Sequence, residues 1–207
     1  AYFSSKDLFS IDLFIADVAT GKIKNKLINT QTDEHFEALR FTNSSAAWSP
    51  DAKKIALPVF KTGDNAITIY NVKKGRVEQT LQFKELGDIS SVAWSPDGKK
   101  LLISATEDAI CDLFIYHFSS KTLQKLTNDI YAELQPSWAP DGNSILFATD
   151  KADYTGPDSL SYIPPRIALF NLTDSSINYL SMANWAKHID PQFSPDGQYI
   201  YFISDPD

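Results

Sequence analysis

The apolar residues of this chain fall in short runs without helical period, each bracketed by polar, turn-forming residues. Leu101-Leu102-Ile103 and Ile145-Leu146-Phe147 are such runs. Near-continuous apolar runs this short predict strands buried on both faces. One phrase stands ahead of each of four runs. Its copies are Trp48-Ser49-Pro50-Asp51-Ala52, Trp94-Ser95-Pro96-Asp97-Gly98, Trp138-Ala139-Pro140-Asp141-Gly142 and Phe193-Ser194-Pro195-Asp196-Gly197. The aspartates are 46, 44 and 55 residues apart. A period of roughly 40–50 residues with several strands in each is the pattern of a β-propeller.

The repeat predicts four antiparallel strands per unit. A short first strand (45–48, 91–94, 136–138, 191–193) ends in an aromatic suited to wedging between sheets. The Pro-Asp-Gly turn follows, with proline fixing φ, aspartate bonding nearby N–H groups and glycine taking positive φ. Ala52 in place of glycine predicts mild strain. The turn aspartates are turn chemistry, not catalytic carboxylates. The apolar second strand comes next, and Pro58 within one of them predicts a bulge or an early end. Third strands open at Asp12, Ala66, Asp112 and Arg166, and fourth strands begin near Ile23, Val77, Leu123 and Ile177.

These strands sort into a partial blade at 1–30, blades at about 45–83, 90–127 and 135–181, and a partial blade at 190–207. The fold class is all-β, a single propeller domain over 1–207. After Asp51 and Asp97 the third strand opens 15 residues on from the turn aspartate, at Ala66 and Asp112. The same step back from Asp12 falls before residue 1, so Ala1-Tyr2-Phe3-Ser4-Ser5 reads as a second strand. The chain is therefore expected to be an excerpt of a larger propeller. A closed four-bladed ring is the competing arrangement.

Composition narrows the function. At 207 residues and 43% hydrophobic, the chain can bury a core. A net charge of -7 argues against a nucleic-acid partner, which needs clustered Lys and Arg. No run is long and apolar enough to span a bilayer as a helix, so no membrane insertion is expected of this segment. A lone cysteine, Cys111 in a strand-like run, reads as a small core residue.

The repeated Trp-Ser-Pro-Asp-Gly phrase, the apolar strand after it and the Asp112-Leu113-Phe114-Ile115 that follows resemble the TolB-like β-propeller repeat of bacterial envelope proteins. Related repeats occur in the propellers of the tricorn and prolyl oligopeptidase families. Within that resemblance, Leu126-Thr127-Asn128-Asp129 leading to Pro136-Ser137-Trp138 looks like a blade junction. Ala52, Ala139 and Phe193 depart from the phrase without threatening the fold. The resemblance implies a periplasmic or extracellular location and a role in binding proteins.

Two places are candidates for that role. The third strand after Asp141 opens at Arg166, 25 residues on instead of 15. Insertions in repeat proteins map to surface loops, often on the binding face. This one offers Asp153, Tyr154, Asp158 and Tyr162. The second candidate is Trp185-Ala186-Lys187-His188, just before a first strand, with Trp185 outside the repeat phrase. Trp185, Lys187 and His188 are its candidate binding residues. Neither place has the ligand set of a metal site, and no cofactor is expected. No nucleophile elbow, zinc-binding His-Glu-x-x-His or phosphate loop is present, so no catalytic residue is assigned. The expected function is a non-catalytic, protein- or peptide-binding propeller scaffold. The alternative is a substrate-gating propeller of a larger peptidase with its catalytic domain elsewhere. A propeller enzyme would need carboxylates or metal ligands where the first strands carry Ala, Ser, Val, Pro and Gln.

Overall fold

A computed structural model describes residues 2–7, 10–28, 38–39, 46–61, 63–151, 164–180 and 186–205. The chain divides into two compact units, 1–84 and 85–207. Among the described residues every regular element is a strand.

The first unit holds two antiparallel sheets. One orders β1 (Tyr2–Asp7), β2 (Ser10–Ala16) and β3 (Ile23–Ile28). The other is built on β6 (Lys54–Lys61), β7 (Asp64–Asn71) and β8 (Arg76–Gln82), with the two-residue strands β4 (Ala38–Leu39) and β5 (Ala47–Trp48) both pairing with β6. Leu13, Leu27, Ile28, Ile55, Leu57 and Val59 form their shared core. Pro58 does not end β6, and the register against β7 runs without a shift from Lys54↔Asn71 to Lys61↔Asp64. The break falls on the other edge, where Ala47 faces Ala56 and Leu39 faces Val59. A residue without an N–H is tolerated where no partner strand asks for one.

The second unit holds two four-stranded sheets and a two-stranded one. The first runs β9 (Ile89–Trp94), β10 (Lys100–Glu107), β11 (Ile110–His117) and β12 (Thr122–Lys125). The next runs β13 (Glu133–Trp138), β14 (Ser144–Thr149), β15 (Arg166–Asn171) and β16 (Ile177–Tyr179). The last pairs β17 (Lys187–Phe193) with β18 (Ile200–Asp205). Leu102, Leu113 and Ile115 of one four-stranded sheet pack against Ile145, Phe147 and Ala168 of the next. Trp138 is wedged at this seam and its indole N–H donates to the Ala93 carbonyl, 3.3 Å away. The sheets are propeller blades, with the strand order the repeat predicts.

The turns show why the phrase recurs. In the second copy the Ser95 hydroxyl donates to Asp97 Oδ1 at 2.6 Å and accepts from the Lys100 N–H at 2.9 Å, while Asp97 also takes the Lys99 N–H. The first and fourth copies repeat this around Ser49–Asp51 and Ser194–Asp196. Each serine hydroxyl holds its aspartate below the usual carboxylate range. Gly98 takes φ 69° at the turn, and Ala52 is forced to φ 54° at the same place.

Candidate functional site

The insertion between β14 and β15 is anchored at both ends on a polar, aromatic surface of its own sheet. Its leading end is Lys151. The ammonium lies 3.1 Å from Asp129 Oδ2 and sits over two rings, 5.2 Å from the centre of Tyr131 and 5.8 Å from that of Tyr179. The Asp129 hydrogen bond holds the Lys151 pKa above its ordinary value, so the side chain stays cationic. Asp150 accepts the Ala132 N–H at 2.8 Å, tying the same end to the segment entering β13. The trailing end is Arg166, whose guanidinium carbon stands 4.2 Å from the centre of the Tyr179 ring. Tyr179 is thus shared by a cation from each end of the insertion. Cation–π contacts of this kind are worth about 0.5–1 kcal/mol each at exposed sites.

The second candidate segment meets the first at its stem. The His188 N–H donates to the Pro165 carbonyl at 2.7 Å. Lys187 is exposed beside it at the start of β17, whereas the His188 ring is buried and meets Phe202 edge-on at 5.4 Å. β17 is also fastened to β13. The Asp190 N–H donates to Gln135 Oε1 at 2.9 Å, and the Ser137 hydroxyl donates to the Pro191 carbonyl at 2.7 Å. Gln135 and Asp190 both hold positive φ, 53° each, directly before a proline. Such backbone persists only where its surroundings fix it, and these cross-strand bonds do so.

Asp153, Tyr154, Asp158, Tyr162 and Trp185 lie outside the described residues. Lys187 and His188 are brought to the insertion's stem. Tyr131, Tyr179, Lys151, Arg166 and Asp129 were missed by the sequence reading. Tyr179 sits in an ordinary fourth strand and Tyr131 in a blade junction, and only tertiary contact joins them. Among the described residues no group of three or more His, Cys, Asp or Glu side chains could hold a metal ion. The surface offers aromatic rings and three cations, Lys151, Arg166 and Lys187, with Lys151 paired to Asp129.

Comparison with known proteins follows the repeat. A family described as TolB beta propeller domain matches residues 12–155. The Tol-Pal system protein TolB of Francisella tularensis subsp. mediasiatica is 28% identical over 210 residues, covering 98% of this chain and 42% of that protein. The crystal structure of TolB from Acinetobacter baumannii superposes with a TM-score of 0.73 at 24% identity, over 95% of this chain and 43% of that one. The tricorn protease shares the fold, with a TM-score of 0.63 at 15% identity over 98% of this chain and 18% of that one. The chain spans less than half the length of the TolB relatives it matches. Matched over more than half its length, the chain belongs to the TolB β-propeller domain family.

Proposed function

We propose that this chain is the binding part of a non-catalytic propeller in the bacterial envelope, and that it grips a protein or peptide partner at the 151–166 insertion and the start of β17. One observation carries the reading. The His188–Pro165 hydrogen bond puts the two candidate segments side by side, next to a rim of two tyrosines and two cations. The relatives' name, Tol-Pal system protein TolB, supports a partner within such a system and a periplasmic or extracellular location. A substrate-gating propeller of a peptidase would share the fold, as tricorn does, but that likeness brings no site residue to this chain.

The test is a titration of the whole protein with purified components of the host's Tol-Pal system. Trp185→Ala and Tyr154→Ala weaken binding about tenfold each while the melting temperature stays within a degree or two. Unchanged binding by both variants removes this surface from consideration. A peptidase domain encoded beside this segment would favour the gating reading.

A further inference from the structure

Three first strands of the second unit carry a buried residue at one equivalent position near their start. Ile89, Glu133 and His188 each stand five residues before the aromatic that closes the strand. They face Ala105, Thr149 and Ser204 across the sheet, each eight residues after a turn aspartate. Isoleucine needs nothing there. Glutamate at 2% exposure needs its hydrogen bonds accounted for.

The count closes only if one of two neighbouring carboxyls carries a proton. The Glu133 Oε2 lies 2.8 Å from the Thr127 hydroxyl oxygen, and Asp112 Oδ1 lies 3.3 Å from the same oxygen. That oxygen also accepts the Leu113 N–H at 2.9 Å. A hydroxyl has one proton to give and two lone pairs to receive. If Glu133 is a carboxylate, Thr127 must satisfy two anionic oxygens with one proton. If Glu133 is a carboxylic acid, it donates to Thr127, Leu113 fills the second lone pair, and Thr127 donates to Asp112. Every site is then used. Asp112, 1% exposed, already has a cation beside it, the Lys125 ammonium 2.9 Å from its Oδ2, so the proton is assigned to Glu133.

We propose that Glu133 is a buried carboxylic acid, protonated in the folded chain, and that its ionisation loosens the seam between the β9–β12 and β13–β16 sheets. The seam is where the device acts, since Glu133 begins β13 while Thr127 follows β12 and Asp112 lies in β11. The Ser104 hydroxyl of β10 also donates to the Glu133 carbonyl at 2.7 Å. Ionisation sends one proton to solvent and leaves a second buried carboxylate beside Asp112.

The charged and titratable groups around it come from β10, β11, β12, the junction before β13 and the end of β14. β11 brings Asp112 and Cys111, whose thiol burial keeps neutral by raising its pKa. β12 brings Lys125, paired with both Asp112 and Glu107 of β10. The junction brings Asp129, paired with Lys151, and the end of β14 brings Asp150. Burial first, then the negative charges of Asp129, Asp112 and Asp150, push Glu133 up to about 8. A Thr127 hydroxyl donating to the ionised carboxylate would pull the other way, and it does not offset them.

A raised carboxyl pKa in the folded state means that folding binds a proton. Stability is therefore unaffected by Glu133 below the ordinary value of 4.5, falls as pH climbs from there to about 8, and is level above. Within that window the folding constant drops by up to about tenfold per pH unit.

The experiment has two readouts on the whole chain. Carbon-13 NMR of the labelled wild type follows the Glu133 carboxyl carbon across pH. A midpoint near 8 is expected, and a midpoint near 4.5 overturns the proposal. Denaturant unfolding of wild type and Glu133→Gln between pH 5 and 8 is the second. Glutamine's amide donates to Thr127 as the acid does, so E133Q loses the downward slope and exceeds wild type at pH 8. Parallel pH profiles for the two proteins overturn it as well. Should E133Q fail to fold, the wild-type titration decides alone.

Discussion

A turn serine and a buried aspartate show how single residues in this chain are held. The Pro-Asp-Gly turns are locked by a serine hydroxyl bridging an aspartate and a backbone N–H, and the third copy has Ala139 instead. Ala139→Ser restores the missing hydrogen bonds and is expected to stabilise by about 1 kcal/mol in denaturant unfolding. Ala52→Gly removes a left-handed alanine and is expected to add about 0.5–1 kcal/mol. Buried Asp12 and Asp112 stand third in the third strands of different blades, and each is met by a fourth-strand lysine, Lys26 or Lys125, lying over Phe14 or Phe114. Removing a cation from a buried carboxylate leaves the charge uncompensated. Lys125→Met is expected to cost roughly 2–3 kcal/mol, and a loss below about 0.5 kcal/mol would show that Asp112 is not held by this pair.

At the scale of elements, the strands were legible because the repeat states each of them several times. A run that is ambiguous alone becomes a second strand once the same run follows the same turn in other copies. Third strands begin at Ser10, Asp64 and Ile110, two residues ahead of the expected Asp12, Ala66 and Asp112, and at Arg166 as expected, despite the ten-residue insertion before it. One element among the described residues escaped. β4 has two residues and no pattern of its own, and exists because β6 has an open edge opposite Val59 and Phe60. Pro58 was read as a bulge or an early end, although what matters is which edge it faces. The candidate site was only half legible. An insertion shows as a broken period, but the rim of Tyr131, Tyr179 and Lys151 is assembled from separate elements with no common sequence signal. Glu133 was equally hidden inside a junction phrase, since its burial depends on strands from two sheets.

For the molecule as a whole, charge sets an expected pH range of stability. Lys24 and Thr20 hold Asp17 at about 2, and Lys74 and Lys54 hold Glu78 at about 2. Carboxylates lowered in the folded state contribute stability above their ordinary pKa values, and that contribution is lost as pH falls from about 4 to 2. Glu133 acts in the opposite sense above 4.5. The thermal midpoint is therefore expected to peak at about pH 5 and to fall on both sides. A midpoint still rising from pH 6 to pH 8 would contradict this balance.

The central claim is that the insertion and the start of β17 form one binding surface. A photo-crosslinking residue placed at Lys187 or Tyr154 of the whole protein, in its own cell, tests it most directly. Both positions are expected to capture the same envelope protein, while Lys73, on the exposed turn between β7 and β8, captures none. Different captures from 187 and 154, or the same capture from 73, would contradict a shared surface.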